Sequence, residues 1–224
     1  MEARFSTGTD LEALLDPEGA AWSGAPTEQI ELQGTPAAMQ PTEVIRTAWA
    51  DKPIGAVGRV QVAALHDGTT LAFRLEWEDA TQNGPMGDTI SFPDAAAVVL
   101  PNAATAPLIT MGAPGLAVNA WYWRADEAEG GRHVVAEGLG SSRTLEDSLV
   151  RGRGVWKDGR WRVVLARSLR VESTEPVVQL EAGGSIGIGV AVWEGGSGER
   201  AGIKAFSGPQ WLELRLDAVP TAGS

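Results

Sequence analysis

Two short segments hold the residues with the greatest chemical reach. The first, Pro107-Leu108-Ile109-Thr110-Met111-Gly112-Ala113-Pro114-Gly115, delivers a thioether into a Gly/Pro loop and leads into Val118-Asn119-Ala120-Trp121-Tyr122-Trp123-Arg124. The second, Val192-Trp193-Glu194-Gly195-Gly196-Ser197-Gly198-Glu199-Arg200-Ala201-Gly202-Ile203-Lys204-Ala205-Phe206, sets an amine between apolar neighbours. Taken by position alone, Met111 reads as a flexible core filler, and Lys204 as a stem on apolar surface with its ammonium in water. A ligand role is the alternative.

Other chemistry has less support. The two histidines do not form a metal spacing such as H-E-x-x-H: His66 precedes a hairpin turn, His133 opens a strand, and both read as surface or edge residues. Gly183-Gly184-Ser185-Ile186-Gly187 has the G-x-S-x-G spacing but opens a strand, so no strand-to-helix nucleophile elbow is expected. Nor does it open a phosphate-cradling helix. Carboxylates cluster at Glu76, Glu78 and Asp79, where solvated strand ends explain them. No cysteine occurs among the 224 residues. This excludes disulfides, thiolate zinc or iron–sulfur ligation, a cysteine nucleophile and covalent haem attachment in this chain.

The net charge of −11 argues against nucleic acid or an anionic membrane surface. It reads as a solubility feature, or as an acidic face steering a basic partner such as a small electron carrier. No run of about 18 apolar residues predicts a membrane-spanning helix. Met1-Glu2-Ala3-Arg4-Phe5 lacks a basic region followed by an apolar stretch, so no secretory signal is expected. That leaves a cytoplasmic protein or a mature exported chain. Nine tryptophans against one tyrosine are unusual, because an indole N–H wants a partner and such rings often line ligand sites.

The elements that must position these residues read as strands. Val60–Leu65 and Thr70–Trp77 flank His66-Asp67-Gly68-Thr69, and Gly154–Trp156 and Arg160–Leu165 flank Lys157-Asp158-Gly159. Asp-Gly between two β-rich runs signals a hairpin, because the turn needs positive φ. Leu71, Phe73, Leu75 and Trp77 alternate with Arg74 and Glu76, the period-two pattern of a half-buried strand. Ala95–Leu100, Leu116–Arg124, Ser185–Trp193 and Gln210–Leu216 complete the set. The predicted class is all-β: an antiparallel β-sandwich with few short helices (Asp10–Leu15, Ser142–Leu149) and an extended N-terminal arm. Residues 1–224 are expected to form one domain, with 1–54 as the arm and first elements, the Pro/Gly/Thr-rich stretch Asp16–Asp51 lying over the sandwich, and 218–224 as a frayed tail.

The two opening segments, with Leu65-His66-Asp67-Gly68, Phe73-Arg74-Leu75-Glu76-Trp77-Glu78-Asp79, Phe92-Pro93-Asp94-Ala95-Ala96-Ala97-Val98 and Gly154-Val155-Trp156-Lys157-Asp158-Gly159-Arg160-Trp161-Arg162-Val163, resemble one family in order. It is the haem-b (gamma) subunit of type II dimethyl sulfoxide reductase-like molybdoenzymes, the group of ethylbenzene dehydrogenase, dimethylsulfide dehydrogenase, and selenate and chlorate reductases. The similarity runs from about residue 55 to Leu216. It implies a non-catalytic β-sandwich holding one non-covalent haem b, with Met111 and Lys204 as the axial metal ligands and Asn119 and Trp121 as pocket neighbours. It implies a molybdenum catalytic (alpha) subunit and an iron–sulfur (beta) subunit as partners, a soluble carrier such as a c-type cytochrome, and a periplasmic setting. Tyr122 and Arg124 depart from the family's His and Lys, which touches the partner surface rather than a ligand. Gly187 and Gly189 would leave room for a flat macrocycle. A Trp-rich carbohydrate-binding module is the alternative; it requires solvent-facing tryptophans and leaves Met111 and Lys204 without roles.

Overall fold

The computed structural model describes residues 1–84, 91–127, 129–147 and 149–220. The strands are β1 (Glu2–Phe5), β2 (Thr27–Glu31), β3 (Gln33–Gly34), β4 (Arg59–His66), β5 (Thr70–Glu78), β6 (Ala95–Pro101) and β7 (Val118–Arg124). They continue with β8 (Arg132–Ala136), β9 (Arg143–Thr144), β10 (Arg151–Lys157), β11 (Arg160–Ser168), β12 (Ser185–Trp193), β13 (Ala205–Phe206) and β14 (Leu212–Leu216). Helices α1 (Leu11–Leu15) and α2 (Glu43–Trp49) are short, each opened by an N-cap side chain, Asp10 and Thr42.

The strands run β10-β11-β5-β4-β1-β14-β12-β6-β7-β8-β9. β12 turns this ribbon into a sandwich. Its first half, Ser185 to Ile188, pairs with β14, and its second half, Gly189 to Trp193, lies between β6 and β13. Trp121 and Trp123 of β7 then face the other layer. Trp121 meets Phe73 edge-on at 5.5 Å and Trp123 meets Trp161 at 4.9 Å. Phe73, Leu75, Trp77, Val163 and Leu165 fill the space between, and burial of rings of this size contributes about 2–3 kcal/mol each.

Both Asp-Gly hairpins form. Asp158 and Gly159 both have positive φ, at 53° and 70°, and β10 pairs with β11 directly across them. The fold is all-β as expected, with two differences. β1 pairs in parallel with both β4 and β14, so the sheet is mixed. The extended arm also contributes strands of its own, because β2 hydrogen-bonds to β4 and β3 to β13. The expected helix at 142–149 is absent among its described residues, where Arg143–Thr144 joins β8 as an edge strand instead. The end of the 218–224 tail, 221–224, lies outside the described residues. No helix is long and apolar enough to cross a membrane.

Candidate cofactor site

A cavity of about 390 Å³ sits on the outer face of the β13-β12-β6-β7-β8 layer. Strand alternation builds its floor: Gly189 and Ala191 of β12, Ala97 and Val99 of β6, Ala120 and Tyr122 of β7. The glycine and alanines among them leave open volume on this face, while Trp121 and Trp123 fill the core on the opposite face. Thr35 to Pro41 of the arm forms one wall, so the arm does lie over this part of the sandwich.

Met111 and Lys204 both line this cavity, from different edges of the floor. Met111 enters from the loop after β6. Its backbone is left-handed, φ 55°, and is held by Met111 N–H donating to Leu108 O (2.9 Å) and Gly138 N–H donating to Met111 O (2.9 Å). A left-handed backbone costs a non-glycine residue about 1–2 kcal/mol, so the loop spends stability to aim this side chain. Gly112 follows at φ 85°, where a Cβ would meet Leu116 O at 2.6 Å and Ala136 O at 2.8 Å. No other residue type fits there.

Lys204 enters from the turn before β13. Thr35 N–H donates to Lys204 O (3.0 Å), Thr35 Oγ1 donates to Gly202 O (2.7 Å), and Gln40 Nε2 donates to the same carbonyl (3.1 Å). Trp193 Nε1 donates to Ala201 O (3.0 Å), and the Lys204 Nζ lies 5.3 Å from the centre of the Trp193 ring. Lys204 keeps part of its surface, but that surface lines the cavity, and desolvation by the walls lowers its ammonium to about 8. A neutral amine is therefore within easy reach.

The Gly198-Glu199-Arg200 stretch anchors this turn rather than touching the cavity. The buried Glu199 carboxylate accepts from Gly55 N–H (2.6 Å), Ala56 N–H (3.0 Å) and Glu194 N–H (3.1 Å), and Arg200 stacks on Phe92 at 4.2 Å.

Asn119 and Trp121 do not line the cavity. They share β7 with Ala120 and Tyr122 but point the other way. Asn119 Oδ1 accepts from Val178 N–H (2.9 Å), and its Nδ2 donates to Pro176 O (2.9 Å). His133 Nε2 therefore donates to Asn119 Oδ1 (2.8 Å), and burial lowers His133 to about 4. Arg167, buried with no carboxylate partner among the described residues, lies 5.0 Å from the Trp121 ring centre and donates to Val178 O (2.7 Å). Asn119, Trp121, His133 and Arg167 thus lock residues 176–178 onto the core. His66, too, is fully buried, and neither histidine is a surface or edge residue as position suggested. Gly189 lines the cavity, whereas a Cβ at Gly187 would meet Trp211 at 2.9 Å, so that glycine serves packing. Tyr122, read from the sequence as bearing on the partner surface, instead stands in the cavity floor with its phenol raised to about 12 by burial, and Trp193, not singled out from the sequence, meets it edge-on at 5.4 Å. Parity along β7 was the signal for Tyr122: a strand whose tryptophans fill the core turns its intervening residues outward.

Comparison with known proteins places the chain in a family. The family described as Ethylbenzene dehydrogenase matches residues 19–148 and 139–205. The chain belongs to this family. The chlorate reductase subunit gamma of Ideonella dechloratans is 36% identical over 89% of this chain and 79% of its own length. A putative respiratory nitrate reductase heme subunit of Haloferax mediterranei is 33% identical over 97% of this chain and 76% of its own. The dimethylsulfide dehydrogenase subunit gamma of Rhodovulum sulfidophilum is 27% identical over 99% and 83%. Within the ethylbenzene dehydrogenase family this chain is of the gamma type found in type II dimethyl sulfoxide reductase-like enzymes, a non-catalytic electron-transfer subunit. Among solved structures, a family 9 carbohydrate binding module from Caldicellulosiruptor kristjanssonii, in complex with glucose, superposes with TM-score 0.52 at 12% identity, covering 98% of this chain and 97% of that one. That likeness shows the fold alone.

Proposed function

We propose that residues 1–224 act as one haem-binding domain whose cavity takes a single non-covalent haem b, with Met111 Sδ and Lys204 Nζ as its axial ligands. The observation that carries this reading is that a thioether and a desolvated amine, far apart in sequence, line one apolar cavity. A bound haem supplies one-electron chemistry, and a thioether ligand favours its ferrous form. The chain's own residues do the rest. The loop at 107–112 presents Met111, and the turn held by Thr35, Gln40 and Trp193 presents Lys204, whose ammonium, lowered to about 8, gives up its proton more readily than an exposed lysine. The floor from Gly189 to Val134 excludes water. Were Met111 and Lys204 both to hold the haem iron, the protein would supply its ligands itself, which would suit one-electron relay rather than catalysis.

In the assembled enzyme, electrons pass between the iron–sulfur subunit, itself wired to the molybdenum subunit, and a soluble carrier such as a c-type cytochrome. The names of the relatives as gamma and heme subunits support this setting, and kinship favours the periplasm. The carbohydrate-binding alternative finds no platform: every tryptophan is buried or half-buried.

Protein produced with haem available is expected to be red, with sharp low-spin bands after dithionite reduction. Met111→Ala and Lys204→Ala are each expected to shift those bands to a high-spin pattern or to lose the haem. Unchanged spectra for both variants would overturn the ligand assignment, and a colourless chain that binds polysaccharide would favour the alternative.

A further inference from the structure

A second constellation lies outside the cavity. Asp79 follows β5, Asp94 precedes β6 and Glu194 follows β12. One carboxylate oxygen from each converges with the other two within 4.8 Å. Two oxygens bound to one Ca²⁺, each at about 2.3–2.6 Å, lie no more than about 5 Å apart, so the spacing suits one ion.

The surroundings do not neutralise these acids. Asp79 is 5% exposed and Asp94 is fully buried, yet no ion pair involves either of them or Glu194 among the described residues. Backbone and indole donors take part of their capacity. Asp94 Oδ1 accepts from Gly195 N–H (2.8 Å), and its Oδ2 accepts from Asn83 N–H (2.8 Å) and Trp161 Nε1 (3.0 Å). Glu194 accepts from Gly196 N–H (2.9 Å) and Ser197 N–H (2.7 Å). Asp79 Oδ1 accepts from Thr81 N–H (3.1 Å), while Asp79 Oδ2 is buried with no hydrogen-bond partner; the Trp77 indole lies near but completes no bond to it. Burying an unpaired carboxylate oxygen costs several kcal/mol unless something cationic or a proton meets it. Burial and mutual repulsion accordingly raise Asp79 to about 6 and Asp94 to about 7.

We propose that Asp79, Asp94 and Glu194 form a binding site for one hard divalent cation, calcium by preference. All three ligands are carboxylate oxygens, which select hard ions over soft ones. The adjoining Asn83 Oδ1 and Thr81 Oγ1 add neutral oxygen to the neighbourhood. Irregular strand ends suit the loose coordination of calcium better than the strict octahedron of magnesium. The ion would tie the ends of β5, β6 and β12 together at the start of the Glu194–Lys204 segment, and so brace the turn that presents Lys204.

The test uses the full chain, stripped with chelator and dialysed into metal-free buffer. Calcium chloride titrated calorimetrically is expected to bind at one ion per chain. At a hundred times Kd it is expected to raise the Tm by about 5–10 °C, with magnesium giving a much smaller shift. Glu194→Gln, at a half-buried loop position, and Asp79→Asn should each weaken calcium binding at least tenfold while the chain still folds. Absence of calcium heat with an unchanged Tm would overturn the proposal. So would wild-type calcium affinity in Glu194→Gln, or a metal-free chain that gains stability from pH 8 to 5 and ignores calcium, since a proton would then hold the carboxylates.

Discussion

At the scale of single residues, the fold holds several groups away from their ordinary states. Met111 sits in backbone that favours glycine, Lys204 has lost much of its hydration, and His133 is buried as a neutral ring. His133 gives the clearest pH dependence. Its folded value is about 4 against 6.5 in the open chain, so between those values the unfolded chain binds the extra proton. Stability from this group is complete above about 6.5 and is lost as the pH falls towards 4, by roughly 3 kcal/mol in all. Urea midpoints of the wild type and His133→Gln, taken from pH 7 to pH 4.5, are expected to converge as the pH falls. The difference between the two isolates His133, because Asp79 and Asp94 titrate alike in both. Parallel curves would show that His133 is not neutral in the fold. The proposed ligand pair was legible only through kinship: by residue type and position, Met111 and Lys204 read as core filler and surface stem, and nothing local says that they share a cavity.

At the scale of elements, the sequence is readable wherever one strand decides the outcome and opaque wherever two segments must meet. β12 begins and ends where its alternation predicts, and both Asp-Gly turns form, because period and turn chemistry are local. Asn119 and Trp121 were expected as pocket neighbours, yet the period-two rule assigns them to the core face once Trp121 is seen to fill it. Asp79 was read as a solvated strand end, yet it is buried, and Asp94 and Glu194 approach it from other strands. The turn before Lys204 carries a prediction at this scale. Glu199 binds three backbone N–H groups from two segments, and a charged acceptor of this kind contributes about 1.5–3 kcal/mol per bond. Glu199→Gln places an amide NH₂ against those donors. It is expected to cost about 2–4 kcal/mol in denaturant unfolding and to speed haem transfer to apomyoglobin at least fivefold. Full stability with unchanged haem loss would mean that this anchor does not position Lys204.

At the scale of the molecule, the aromatic and ionic inventories point in different directions, and together they define how the chain meets a partner. The tryptophans are spent inward, on the layer contacts and on turns such as the one Trp193 pins, so the surface offers no stacking platform. Charge is what the surface has to offer, at a net −11. Many of its arginines are already engaged with carboxylates of this chain: Arg74, Arg160 and Arg162 converge on Glu76, and Arg151 and Arg153 on Glu12. The excess carboxylates set the long-range field, and such a field speeds encounter with an oppositely charged partner by about 10–10³-fold at low salt. Stopped-flow electron exchange between the haem-loaded chain and a basic c-type cytochrome is therefore expected to slow at least tenfold from about 0.01 M to about 0.1 M salt, where the Debye length shrinks from roughly 30 Å to 10 Å. An acidic carrier should show the opposite slope. A rate indifferent to salt with both carriers would mean that the acidity serves solubility alone and that docking is driven by short-range contact.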